Sequence, residues 1–184
     1  MTLLILGILL WVLPHSFKRV APAARMNMGK QGRSMVAGLV IFGVVLMVIG
    51  YRMAPVTPIY TPVPGIGHLN NLMMLVSVYL FGVGGTKGIL YPKMRHPMLW
   101  GMVIWAVAHL LVNGDLASIL LFGSLGLWAL NEMRLINQTA WVRPTNGRGI
   151  KGDAMNVVGT LVLFGLFASV HIWLGHNPFV GTYG

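Results

Sequence analysis

Residues 97–133 read PMLWGMVIWAVAHLLVNGDLASILLFGSLGLWALNEM. No charged side chain occurs between Arg95 and Asp115, and none again until Glu132. Each run approaches the roughly 20 apolar residues that cross a hydrocarbon core. The link Asn113-Gly114-Asp115 is too short for anything but a tight reversal, so the two runs predict an antiparallel membrane hairpin. Asp115 is placed to N-cap the second helix, its carboxylate facing the positive helix end.

Working outward, four further apolar stretches appear, giving six in all: 2–17, 35–53, 69–86, 97–113, 115–133 and 154–175. Of the 184 residues, 56% are hydrophobic and 9% charged, against about 25% charged in a soluble domain. The fold class is therefore all-α: a polytopic bundle of about six transmembrane helices forming a single domain over residues 1–184. The first stretch is as short as a signal-peptide core, but Lys18, Arg19 and Arg25 follow it and no base precedes it. That polarity predicts a retained first helix.

The net charge of +10 is explained by where the bases lie. Lys18, Arg19, Arg25, Lys30 and Arg33 follow the first stretch. Lys87, Lys93 and Arg95 follow the third, and Arg134, Arg143, Arg148 and Lys151 the fifth. Only Arg52 falls on the other side. The positive-inside rule makes those three segments cytoplasmic and puts both termini outside. Cysteines introduced at Lys30 and Tyr183 should then label from opposite sides. The expected partner of these bases is the anionic bilayer surface, with no nucleic acid. With no cysteine in the chain, disulfides, thiolate metal sites and covalent c-type haem are excluded. The 13 methionines do not cluster as ligands and read as flexible packing. Gly38, Gly43, Gly101, Gly123, Gly126, Gly159 and Gly165 read as small positions for close helix contact.

Carboxylates are too few for paired-acid catalysis, which leaves imidazole as the available chemistry. On the fourth stretch Gly101, Trp105, His109 and Asn113 share one face at a spacing of four. The first stretch repeats the pattern with Gly7, Trp11 and His15. A glycine leaves room, an indole forms a flat wall and an imidazole can ligate iron, so these faces suit a haem slot. A packed interface with each histidine bonded to a backbone carbonyl accounts for the same spacing. Arg95, in Arg95-His96-Pro97, is placed for a phosphate, a haem propionate or a lipid headgroup, and an interfacial anchor accounts for the same position. His68 and His176 lie near the outer surface, and His171 one turn inside the last stretch.

The run Arg95 to Gly101, then Trp105-Ala106-Val107-Ala108-His109 through Asp115-Leu116-Ala117-Ser118, and Leu121-Phe122-Gly123, resembles the NnrU family. So do His15-Ser16 followed by Ala21-Pro22, and the closing His176-Asn177-Pro178. The resemblance covers nearly the whole chain. It implies a bacterial inner (cytoplasmic) membrane protein linked to nitrite and nitric oxide reduction, in the company of a respiratory or denitrification complex. The same domain occurs in 15-cis-zeta-carotene isomerase of plants and cyanobacteria, a haem b protein. That relative implies haem b ligated by His15 and His109; the Trp105 wall and the Arg95 side chain read above would be its further contacts. Along the axis the pair is offset by about 11 Å, from 1.5 Å per residue, and pairing His109 with His68 or His171 lessens the offset. The relative's alternative cysteine ligand is Ala106 here, which removes any ligand exchange through sulfur. A more distant similarity is to isoprenylcysteine carboxyl methyltransferases, whose Arg-His-Pro is completed by a paired glutamate; here Glu132 stands alone. Three functions follow as expectations: a haem b protein for electron transfer, sensing or assembly; a haem-dependent cis–trans isomerase of a polyene; and a cofactor-free structural subunit.

Overall fold

The computed structural model describes residues 1–180, apart from the side chain of Lys30. Among the described residues the regular structure is helical: α1 (Thr2–Val20), α2 (Pro22–Asn27), α3 (Gly29–Arg52), α4 (Gly67–Thr86), α5 (Pro97–Val112), α6 (Leu116–Ile136) and α7 (Gly149–Trp173). Five of these, α1, α3, α4, α6 and α7, are long and apolar enough to cross a membrane. The sixth, α5, has 16 residues, about 24 Å at 1.5 Å per residue, a little short of the hydrocarbon thickness.

Several helices start earlier than the apolar stretches do. The third begins at Gly29 rather than at 35, and the last at Gly149 rather than at 154. Hydropathy marks the part of a helix that sits in hydrocarbon, whereas backbone hydrogen bonding continues through the polar turn beyond it. The short α2 escaped the sequence reading for the same reason: Pro22 starts it, in an N1 position that suits proline, but six residues show no apolar period.

Pairing follows the hairpins. The first hairpin joins α1 to α3, α4 packs on α5 and on α7, and α5 packs on α6. Gly7 and Gly101 make room for neighbouring helices, as Gly101 was also expected to, so the space their spacing suggested for a haem is already taken. A methyl on Gly7 would meet the Met47 backbone nitrogen at 2.6 Å, and one on Gly101 would meet the Ser77 carbonyl at 3.0 Å. Gly43 and Gly126 are close contacts as expected, whereas Gly38, Gly123, Gly159 and Gly165 have nothing within 4 Å. Spacing alone does not separate a contact-facing glycine from a lipid-facing one.

Polar contacts sort the loops to two ends. At one end Arg19 pairs with Glu132, the Arg148 amide donates to Lys87 O, and Arg95 meets the last turn of α6. There Arg95 donates to Ile136 O and Thr139 O, both at 2.7 Å, so the guanidinium satisfies carbonyls that the helix end leaves open. The neighbouring His96 Nε2 bonds Asn137 Oδ1 at 2.8 Å. At the other end the proline-rich segment lies on the α5–α6 turn, with Ile59 and Tyr60 amides donating to Gly114 O and Leu116 to Thr57 O. Asp115 caps α6 as expected, accepting from Ser118 N at 3.0 Å and from Ser118 Oγ at 2.5 Å.

This sorting puts every basic segment at one end of the bundle. Tyr183 lies outside the described residues, so Phe179 takes its place in the labelling test. Cysteines at Lys30 and Phe179 are expected to label from opposite sides of spheroplasts, Lys30 from the cytoplasm. Labelling of both from one side overturns the orientation.

Candidate functional site

In the half of the bundle away from the basic loops, a cavity of about 420 Å³ lies between α3, α4, α5, α6 and α7. That volume is within the ~300–1,000 Å³ of small-molecule sites. Its walls are chiefly aromatic and aliphatic. Tyr51 comes from α3, Asn70, Asn71 and Met74 from α4, and Trp105, His109 and Asn113 from α5. Leu121 and Phe122 come from α6, and Phe164, Phe167, Ala168 and His171 from α7. The chain then returns across the opening with His176 and Pro178, held there by Asn71 Nδ2 donating to Pro178 O at 2.7 Å.

The face Trp105–His109–Asn113 points inward as its spacing requires. The His109 ring stacks on Phe122, with centroids 4.4 Å apart and planes 22° apart, and touches Trp105 at 4.9 Å. Phe122 reaches it from a five-residue π turn, Ile119–Gly123, inside α6. Tyr51 borders the same space and hydrogen-bonds Ser118 Oγ at 2.7 Å, which ties the cavity wall to the α6 cap.

The imidazoles share one device. His109 Nδ1 lies 2.9 Å from Trp105 O, His171 Nδ1 2.7 Å from Phe167 O, and His15 Nδ1 2.7 Å from Trp11 O. A carbonyl oxygen only accepts, so Nδ1 carries the hydrogen in each neutral ring and Nε2 keeps its lone pair. This is the orientation in which a histidine ligates a metal through Nε2. The backbone bond therefore leaves Nε2 as the acceptor in each ring, a geometry that serves helix packing and metal ligation alike.

His109 and His171 line one cavity, and His15 does not. The His15 ring packs instead against Trp11 at 4.3 Å and Trp128 at 5.1 Å. Trp128 is six residues beyond Phe122 on α6, about 9 Å along the axis. His15 is thus at a deeper level than His109, as the residue count had indicated. His68 is exposed at the start of α4 and is not in the cavity wall. Arg95 is engaged at the opposite end of the bundle, on the α6 terminus.

Sequence reasoning missed several walls of the site. Asn70 and Asn71 carried a signal, since two adjacent amides inside an apolar stretch need partners. His176 was read as solvated; it is exposed, yet it also closes the cavity. Phe122, Phe164 and Phe167 gave no signal, being ordinary apolar residues until the packing is known.

The chain matches the family described as NnrU protein over residues 3–178. No curated protein and no solved structure matches it. With the match covering nearly its whole length, the chain belongs to the NnrU family.

Proposed function

We propose that this is a haem b protein of the bacterial cytoplasmic membrane, serving nitrite or nitric oxide respiration through electron transfer, sensing or assembly. In this reading His109 and His171 would hold the group, each through Nε2. The observation that carries it is the shared cavity, to which two histidines bring Nε2 lone pairs fixed by backbone bonds.

The residues present suit such a group. Trp105 and Phe122 supply flat apolar walls that exclude water, and Asn71 and His176 lie where the chain crosses the opening. Among the described residues no cluster of three or more His, Cys, Asp or Glu side chains is placed for a bare ion. Haem asks less, since its ring supplies the equatorial nitrogens and the protein one or two axial ligands. When bound, haem supplies reversible one-electron chemistry or a site for a diatomic gas. The chain's own contribution is to hold both imidazoles in one tautomer and to keep the pocket apolar.

The test is the optical spectrum of the full-length protein purified in detergent. A Soret band and the split bands of a six-coordinate b haem are expected, at about one haem per chain. His171→Ala is expected to convert the spectrum to five-coordinate haem, and His15→Ala to leave it unchanged. A spectrum altered by His15→Ala and untouched by His171→Ala would transfer the second ligand to His15. Protein that neither retains nor takes up haem overturns the proposal in favour of a structural subunit.

A further inference from the structure

Beyond α7 the chain turns back on the bundle. Gly175 N donates to Ile172 O at 3.0 Å and His176 N to His171 O at 2.8 Å, the paired bonds that end a helix on a left-handed residue. Gly175 supplies that residue, with φ at +90°. A side chain there would be strained, and the turn that glycine permits sends residues 176–178 back across the mouth of the cavity. His176 and Pro178 thereby become part of its wall.

Side chains of α4 and α7 tie down the far end of this strap. Asn71 Nδ2 donates to Pro178 O at 2.7 Å, and the Phe179 ring meets Phe164 edge to face, with centroids 6.3 Å apart. Asn177 Oδ1 accepts from Phe179 N at 3.0 Å, which stiffens the strap itself. Between Leu174 and Val180 only Pro178 is half-buried, and the other residues are exposed. A segment that buries so little apolar surface opens at a small fraction of the free energy of global unfolding. The cavity wall behind it is closed in, with Ala168 only 7% exposed.

The strap thus has a fixed exit from α7, a light fastening at its other end and a cavity beneath it. We propose that residues 174–180 form a lid that pivots at Gly175 and controls exchange between the cavity and the water beyond that end of the bundle. The Asn71 amide and the Phe164 ring are its latch. The lid covers whatever the cavity holds, so the inference goes beyond the haem reading and does not rest on it.

The test uses the full chain in detergent and two rates. With haem bound, the rate of haem transfer to excess apomyoglobin is measured. Without haem, Ala168→Cys puts a thiol in the cavity wall of a chain that has no other cysteine, and its modification by a charged methanethiosulfonate is timed. Asn71→Leu removes the donated bond and Phe179→Ala the ring contact, and each is expected to speed both rates about fivefold. Phe179 is outside the cavity wall, so its effect reports the lid and not a lost contact with the occupant. This exposed position also carries the test if Asn71→Leu fails to fold. Conversely, Asn71→Cys with Pro178→Cys, joined by a short bis-maleimide, is expected to slow haem transfer about tenfold or more against the same protein before joining. Rates unchanged by Phe179→Ala overturn the lid, as does haem transfer unchanged by the crosslink, and the entrance then lies between helices on the bilayer side. Protein that takes up no haem removes the haem reading, and the thiol rate alone then decides the lid.

Discussion

Alanine at His109 is expected to abolish the Soret band of the purified protein, or to shift it to a different ligation state, while the helices still insert. The imidazole is the one the proposal puts first: it stacks on Phe122, touches Trp105, and offers Nε2 while Nδ1 is tied to Trp105 O. Its removal would delete the proposed iron ligand and leave a void between two aromatic walls. Neither effect disturbs the backbone bonds of α5, and alanine is the best helix former. His68→Ala is the matched control, because His68 is exposed and outside the cavity wall. The measurement is haem stoichiometry and ligation by absorbance, alongside helicity by circular dichroism. Unchanged stoichiometry and spectrum in His109→Ala remove this residue from the site.

Valine at Gly50 is expected to destabilise the protein by about 3 kcal/mol, the upper part of the range for overpacking. A methyl at Gly50 would collide with the Leu4 backbone nitrogen and come within 2.8 Å of Leu3 C. The obstacle is main chain and cannot rotate away, so α1 and α3 must separate. Leu4, wholly buried in the core with Ile8 and Met47, would loosen with them. Gly38→Val, on the same helix with nothing within 4 Å, is expected to change stability by less than about 0.5 kcal/mol. Thermal or denaturant unfolding in detergent reads the difference. Equal stability of the two variants would show that the α1–α3 contact yields more readily than its backbone approach implies.

The architecture was legible because a bilayer leaves few options. An apolar run near 20 residues must be a helix, and the bases between runs fix the alternation. The Asn113-Gly114-Asp115 turn and the Asp115 cap were legible for local reasons, since both depend on residues adjacent in sequence. The inward face of α5 was legible as well, because a period of four marks one side of a helix. The depth of packing was not. Gly7 and Gly38 look alike in the sequence, yet one is pressed against α3 and the other has nothing within 4 Å. The position of Arg95 at a helix start suggests an anionic group or the membrane interface, but its guanidinium spans to the end of α6, more than 40 positions away in the chain. The pairing of Arg19 with Glu132, about 113 positions apart, was equally beyond reach. Charges that partner across helices leave no periodic trace.

The π turn at Ile119–Gly123 acts as a phase shifter. A π turn accommodates one residue more than the α pitch, and each residue is worth about 100° of rotation. Phe122 can therefore face α5 while Trp128 and Glu132, further along the same rod, face α1. Removing a single residue from this turn would restore an unbroken α-helix and swing everything beyond it by about 100°. One of the two faces would then be lost to lipid. The angular setting between the His109 cavity and the α1–α6 contact is thus encoded in one surplus residue, and a one-residue deletion there would put the two out of phase.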